Sequence, residues 1–455
     1  MAAKDNFFVK NKSIITFLIL EIVALTAFNF GNISYIFGLA GAVLAIFGCL
    51  FAYKISQDKK EFLWLLLPVG ILFLVSGIGA FGPNSKNFHP LLNISLLLSL
   101  PAFLILGFVT RKLNDVKPKT ILMVVGGGLA LITLFGLFST LFQYGVFYSL
   151  IYKDTPNYYY NGLPYDITKE MYWLSGFEFT EVYIGYGSIF AVLCASFLPG
   201  LLFISPKKER NDFIICAAIG LIGLLTLLII PNIKAIIVVA LASSFAFIFK
   251  YLNGHKKAKK IIGCCFLGVV ALGIIFFIVA LANAARGFVF NGVLDRIFVS
   301  NRITANTKPV FQALFAKDNG EMPNLFGLYR YSYTGSIYYN GDDILKMETS
   351  IFEVELLKEV GLFGSFLFIG FVITMGYFVY RYIKHSEDSD SIKSILVVLL
   401  LSYFAFVSFS NAVIVVPHDE ASYAPYLKST TLLVVLFLFG YMFMPPTKKE
   451  VEEHE

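Results

Sequence analysis

The sequence predicts an all-α polytopic membrane protein, with about twelve transmembrane helices and a large extracytoplasmic loop between helices 9 and 10. Three observations predict it. Of 455 residues, 57% are hydrophobic and 15% charged, where a soluble domain has about 25% charged. Apolar runs repeatedly reach the length of about 20 residues that a bilayer-spanning helix needs. The cations between those runs are dense on one side and sparse on the other, as orientation by the positive-inside rule requires. With 48 Phe and so little charge, intrinsic disorder is excluded, because disordered chains lack apolar surface to bury.

The runs centre near 13–30, 33–53, 62–80, 89–110, 120–141, 182–204, 213–230, 235–250, 261–284, 361–380, 394–416 and 428–445. The first is already of spanning length and no small-residue cleavage site follows it, so no cleaved signal peptide is expected. Glu21 lies within it, where a carboxylate is costly and is either functional or paired within the helices. The domain expectation is one integral membrane domain over 1–455, ending in a cytoplasmic tail at 446–455.

With both termini in the cytoplasm, 23 of the 36 Lys and Arg lie on the inner side, including Arg111, Lys112, Lys117, Lys119 and the run Lys250 to Lys260. Eight of the 13 outer ones fall in one segment, 286–358. Long loops are largely exempt from the rule. All five cysteines lie inside predicted spans, so no outer disulfide framework is implied. The net charge of +6 follows from the inner loops and implies no nucleic-acid partner.

Two outer segments are longer than connection requires. The first, 142–181, is aromatic: Tyr158, Tyr159, Tyr160 and Trp173 stand among nine Tyr and Trp, with a net charge of −3. Tyr and Trp offer an apolar face and a polar tip, which suits either sugar stacking or a seat at the lipid interface. Tyr331, in the second segment, is a sugar-binding candidate of the same kind.

The second segment, 286–358, is divided by charge. From 286 to 308 it sums to +3, with Arg286, Arg296, Arg302 and Lys308 against Asp295. From 309 through Glu359 it sums to −4, with Arg330 among its few cations. Apolar residues at helical spacing, Phe290 to Phe298 and Val310 to Phe315, predict amphipathic helices at the membrane surface. Arginine holds phosphate oxygens bidentately and stays charged in a partly dehydrated site. A lipid diphosphate is the ligand these arginines suit; anionic head groups, or pairing with Asp295, are the alternative.

Three stretches resemble the O-antigen polymerase and O-antigen ligase superfamily of bacterial polysaccharide enzymes. One runs from Asn301-Arg302-Ile303 to Pro323-Asn324-Leu325-Phe326-Gly327 and is similar to the family's arginine-bearing outer helix and its Pro-x-x-x-Gly turn. Another, Ile351 to Phe368, is similar to the helix that enters the membrane through Gly-x-x-Gly, here Gly361 to Gly364. The third, Ile229 to Ala240, resembles a tight outer turn where the family carries Ser-Arg and this chain has Ile233-Lys234. Ligases of the family place His-Asn about eleven residues before the first of those glycines; this chain has Ser350-Ile351 there. That departure favours a polymerase over a ligase.

The resemblance implies glycan transfer from a polyprenyl diphosphate to a sugar hydroxyl at the outer face of the cytoplasmic membrane. Its implied partners are the polyprenyl-diphosphate-linked oligosaccharide, membrane lipid, a chain-length regulator and a flippase. Cations must meet the charge on the departing diphosphate and a base must stand near the attacking hydroxyl. The first role falls to Arg302, with Lys234, Arg296, Arg286 and Arg330 behind it. The second falls among Glu348, Glu353 and Glu355, which surround the ligase histidine position, with Glu348 placed first. No cofactor and no metal is required. Asp388-Ser389-Asp390 and Asp342-Asp343 are read as solvated turns rather than metal ligands. A ligase, and a flippase or transporter, remain as alternative functions.

Overall fold

The computed structural model describes residues 59–81, 90–113, 117–144, 158–160, 163–165, 170–171, 182–207, 209–229, 233–251, 255, 257–258, 261, 338–339, 342–343, 352–409 and 430–446. The runs at 13–30 and 33–53, nearly all of 261–284, and the surface helices expected near 290–298 and 310–315 lie outside the described residues.

Within them the chain is helical. The helices are α1 (Lys59–Phe81), α2 (Pro90–Leu113), α3 (Pro118–Tyr144), α4 (Ile184–Ala195), α5 (Arg210–Ile229), α6 (Ile233–Tyr251), α7 (Phe352–His385), α8 (Asp390–Phe409) and α9 (Thr430–Tyr441). Each coincides with an apolar run of the sequence. Three antiparallel ribbons of very short strands complete the list: β1 (Tyr158–Tyr160) with β2 (Leu163–Tyr165), β3 (Glu170–Met171) with β4 (Val182–Tyr183), and β5 (Tyr338–Tyr339) with β6 (Asp342–Asp343).

Three helices are long and apolar enough to cross a membrane: Glu61–Ile78 in α1, Arg210–Leu228 in α5 and Val360–His385 in α7. These mark a membrane protein. On α7 both faces are apolar, but only one is covered: Phe371 and Met375 are fully buried, while Phe366 and Ile373 are 71% and 68% exposed. An apolar outer surface belongs against lipid rather than water. The hydroxyls fit the same solvent. Thr110, Thr133, Ser196, Thr226, Ser243, Ser365 and Thr374 each donate to the carbonyl four residues back in their own helix. Inside hydrocarbon no water is present to take these protons, so a helix satisfies them itself.

The helices pack in two groups. In one, α2 lies between α9 and α1, and α1 packs on α7. In the other, α4 packs on α5 and α3, and α8 packs on α6, α4 and the 3-10 turn Pro199–Phe203 that continues α4. Contacts of α7 with α8 join the groups. Stretches that are buried throughout include Ile189 to Ala195 in α4 and Leu432 to Phe443 in and just after α9.

The closest crossing is that of α2 with α9. A Cβ on Gly107 would meet the carbonyl oxygen of Phe437, and one on Gly440 would meet that of Leu104. Two glycines facing two backbones let the helices approach more closely than side chains permit, the usual way membrane helices gain packing without a hydrophobic driving force.

The described ion pairs gather at one end of the bundle. Lys112 meets Glu61 at 2.6 Å, Arg111 meets Asp388 at 3.3 Å, and Lys119 pairs with Asp212. The Lys250 ammonium lies 5.4 Å from the centre of the Phe203 ring. These contacts tie together the starts of α1, α3 and α5, the ends of α2, α6, α7 and α9, and the entry to α8. The starts of α4, α6 and α7 therefore point to the opposite end.

Candidate functional site

Thirteen residues carry the functional expectation, and six fall on described elements. Lys234 is the second residue of α6. Glu353 and Glu355 stand in the first turn of α7. Tyr158, Tyr159 and Tyr160 form β1. Because α6 and α7 both run toward the basic end, Lys234 and the two glutamates start from the same, opposite end. Glu348, Arg286, Arg296, Arg302, Arg330, Trp173 and Tyr331 lie outside the described residues.

The two glycines of the Gly-x-x-Gly element have separate physical duties. Gly361 adopts φ 69° and ψ −171° inside α7, so the helix is two helices joined at a bend. That region is essentially reserved for glycine. Gly364 has no such dihedral need, but a Cβ there would lie 2.5 Å from the Val360 Cβ. The bend folds Val360 onto the next turn, and only glycine leaves room for it. Ser365 then donates to the Gly361 carbonyl at 2.7 Å and fastens the first turn after the bend. An acidic helix, 352–360, is thereby set at an angle to the apolar span that starts at Val360.

Sequence reasoning missed the polar cluster at the basic end. Asp388, read as a solvated turn, is instead largely enclosed. Its Oδ2 accepts the Tyr382 hydroxyl at 2.5 Å and an Arg111 Nη1 donor at 3.3 Å. The Arg111 guanidinium lies 4.7 Å from the Tyr382 ring centre and 5.4 Å from that of Tyr441, within cation–π range of both. It also donates to the Tyr441 carbonyl at 3.4 Å, while Arg381 donates to the carbonyls of Met444 and Pro445. Arg111 thus takes up a carbonyl at the end of α9, as the helix dipole favours, and Arg381 holds the segment that follows the helix. The signal available in the sequence was the choice of Arg over Lys at 111 and 381, since only a fork can serve several acceptors at once.

No protein-family model matches the chain, and no curated protein matches it. Chemical meaning therefore comes from residues and topology. At the basic end, Arg111 and Arg381 are engaged on Asp388 and on main-chain carbonyls. The opposite end gathers the bend at Gly361, the start of α6 and the ribbon β3–β4 that leads into α4.

Proposed function

We propose that this protein polymerises lipid-linked oligosaccharide repeat units: a glycosyltransferase of the cytoplasmic membrane whose donor is a polyprenyl-diphosphate glycan. The acceptor hydroxyl oxygen bonds to the anomeric carbon as the bond from that carbon to the diphosphate oxygen breaks. The hydroxyl proton passes to a carboxylate among Glu348, Glu353 and Glu355. Arg302, with Lys234, Arg296, Arg286 and Arg330, neutralises the departing diphosphate, so the step needs no metal. Tyr158, Tyr159, Tyr160, Trp173 and Tyr331 contact sugar.

The observation that carries this reading is the direction of the helices around 252–351. The end of α6 and the end of α7 meet the same basic end, so the chain between them must cross the bundle an odd number of times. The apolar run 261–284 has the length and composition for one crossing, which on this reading puts 286–351, with its basic and acidic halves, on the face from which α7 departs. With the basic end inside, both outer segments face the side where lipid-linked glycans are joined. The proposal includes twelve spans with both termini cytoplasmic, a flippase delivering substrate and a regulator setting chain length.

A ligase differs only in its acceptor, and Ser350 at the ligase histidine position weighs against it. A transporter would carry charge along several helices. Here midspan charge is nearly confined to Glu21.

Deleting the gene and examining surface glycan tests the reading. Products of a single repeat unit are expected; unattached long chains would assign a ligase, and unchanged glycan would exclude both. Arg302→Ala, at normal abundance, is expected to shorten or abolish the chains.

A further inference from the structure

Two of the three ribbons share their sequence as well as their shape. In β1–β2 the last pair before the turn is Tyr160 with Leu163, and in β5–β6 it is Tyr339 with Asp342. In sequence the two residues between the paired strands are Asn161-Gly162 in one and Asn340-Gly341 in the other, the dipeptide that tight two-residue hairpins prefer. Each is preceded by two tyrosines. The tetrapeptide Tyr-Tyr-Asn-Gly thus occurs at 159–162 and at 338–341, once in each long outer segment.

Turn chemistry accounts for Asn-Gly but not for the tyrosines. Cross-strand pairing does not account for them either. Opposite the tyrosines stand Tyr165, Pro164 and Leu163 in the first hairpin, and Asp343 and Asp342 in the second. The partners differ completely while Tyr-Tyr is kept. Strands of two or three residues also bury too little to demand aromatic residues for stability.

A polymerase of identical repeat units has an unusual need: it must hold the same repeat unit twice, once as donor and once as acceptor. We propose that the two Tyr-Tyr-Asn-Gly hairpins are duplicate sugar-recognition elements, β1–β2 for the donor glycan and β5–β6 for the acceptor glycan. The inference rests on the polymerase reading. Tyrosine supplies an apolar face for a sugar ring and a hydroxyl for its polar edge. The assignment of sides follows from sequence neighbours. Asp342 and Asp343 complete the second hairpin, and the candidate bases begin five residues later at Glu348, so β5–β6 belongs with the hydroxyl that is deprotonated.

The test uses full-length protein in lipid nanodiscs. The donor is the lipid-linked repeat unit extracted from the host's membranes; the acceptor is the repeat-unit oligosaccharide released by mild acid from its surface polysaccharide. Changing Tyr338 and Tyr339 together to Ala is expected to raise the acceptor KM about tenfold and leave the donor KM unchanged. The same change at Tyr159 and Tyr160 is expected to do the reverse, with Phe at either pair preserving most of the affinity. If wild-type protein elongates while both Ala variants keep both KM values, the hairpin assignment is wrong and the polymerase stands. If each variant raises both KM values alike, the two hairpins are not separate readers and the proposal is again overturned. A wild-type protein that fails to elongate removes the polymerase reading, and the hairpin assignment with it.

Discussion

The Tyr382 hydroxyl donates to Asp388 at 2.5 Å, and Arg111, from a helix 270 residues earlier in the chain, meets the same oxygen at 3.3 Å. With side-chain exposures of 22% for Arg111 and 13% for Asp388, the pair is partly shielded from water. Removing one member of a fully buried pair costs about 3–5 kcal/mol, and exposed pairs are worth about 0–1 kcal/mol. Asp388→Ala is expected to fall between, at about 2 kcal/mol. A lower temperature for loss of the monodisperse peak in detergent measures it. Because Tyr382 and Arg111 share one oxygen, Tyr382→Phe combined with Asp388→Ala should cost less than the two separate losses added together. Strict additivity would show that the contact carries no energy.

The crossing of α2 and α9 gives a sharper contrast. At Gly107 and Gly440 an added methyl meets backbone oxygen, which cannot rotate away. At Gly127 nothing lies within 4 Å. Gly107→Ala is expected to destabilise by about 1–3 kcal/mol or more, the range for overpacking. Gly127→Ala should be neutral or stabilising by up to about 1 kcal/mol, the helix propensity gain. Equal melting temperatures for the two variants would contradict the crossing.

The helices were legible because long apolar runs have few uses in a chain so poor in charge: all nine among the described residues fall on such runs, and three of them are long and apolar enough to cross a membrane. The bend at Gly361 was legible only as a motif. Its reason, a dihedral at one glycine and crowding by Val360 at the other, is three-dimensional. The Asp388 cluster was hidden because its partners are far apart in sequence and because Asp-Ser-Asp among lysines looks like a solvated loop. The two hairpins were visible as Asn-Gly, but the abundance of tyrosine around them drew attention to composition rather than to the turn.

Helix direction makes a prediction about membrane sides. The connection between α7 and α8 sits at the basic end, and β5–β6 belongs to the segment preceding α7. Single cysteines at Glu387 and at Asp342, in a background lacking the native five, should differ in intact cells. A membrane-impermeant maleimide is expected to label the Asp342→Cys protein and spare the Glu387→Cys protein until the membrane is opened. Labelling of both or of neither in intact cells would contradict the odd number of crossings between α6 and α7.

The bend in α7 separates stability from positioning. Gly361→Ala forces a side chain into a region that costs about 1–3 kcal/mol, and the chain relieves this by straightening at 361. Straightening swings 352–360, with Glu353 and Glu355, away from its angle to the span, while the span's own packing through Phe371, Met375 and Phe378 is untouched. Protein abundance and thermal stability should therefore fall modestly, and chain elongation should fall much further, by about tenfold or more. If the proposed base is Glu353 or Glu355, the change should appear in kcat rather than in donor KM. Gly364→Ala, which crowds Val360 without altering a dihedral, is expected to show the weaker form of the same defect. If the Gly361→Ala protein elongates at the wild-type rate, the angle of the acidic helix has no part in the chemistry, and the base must be sought before residue 352.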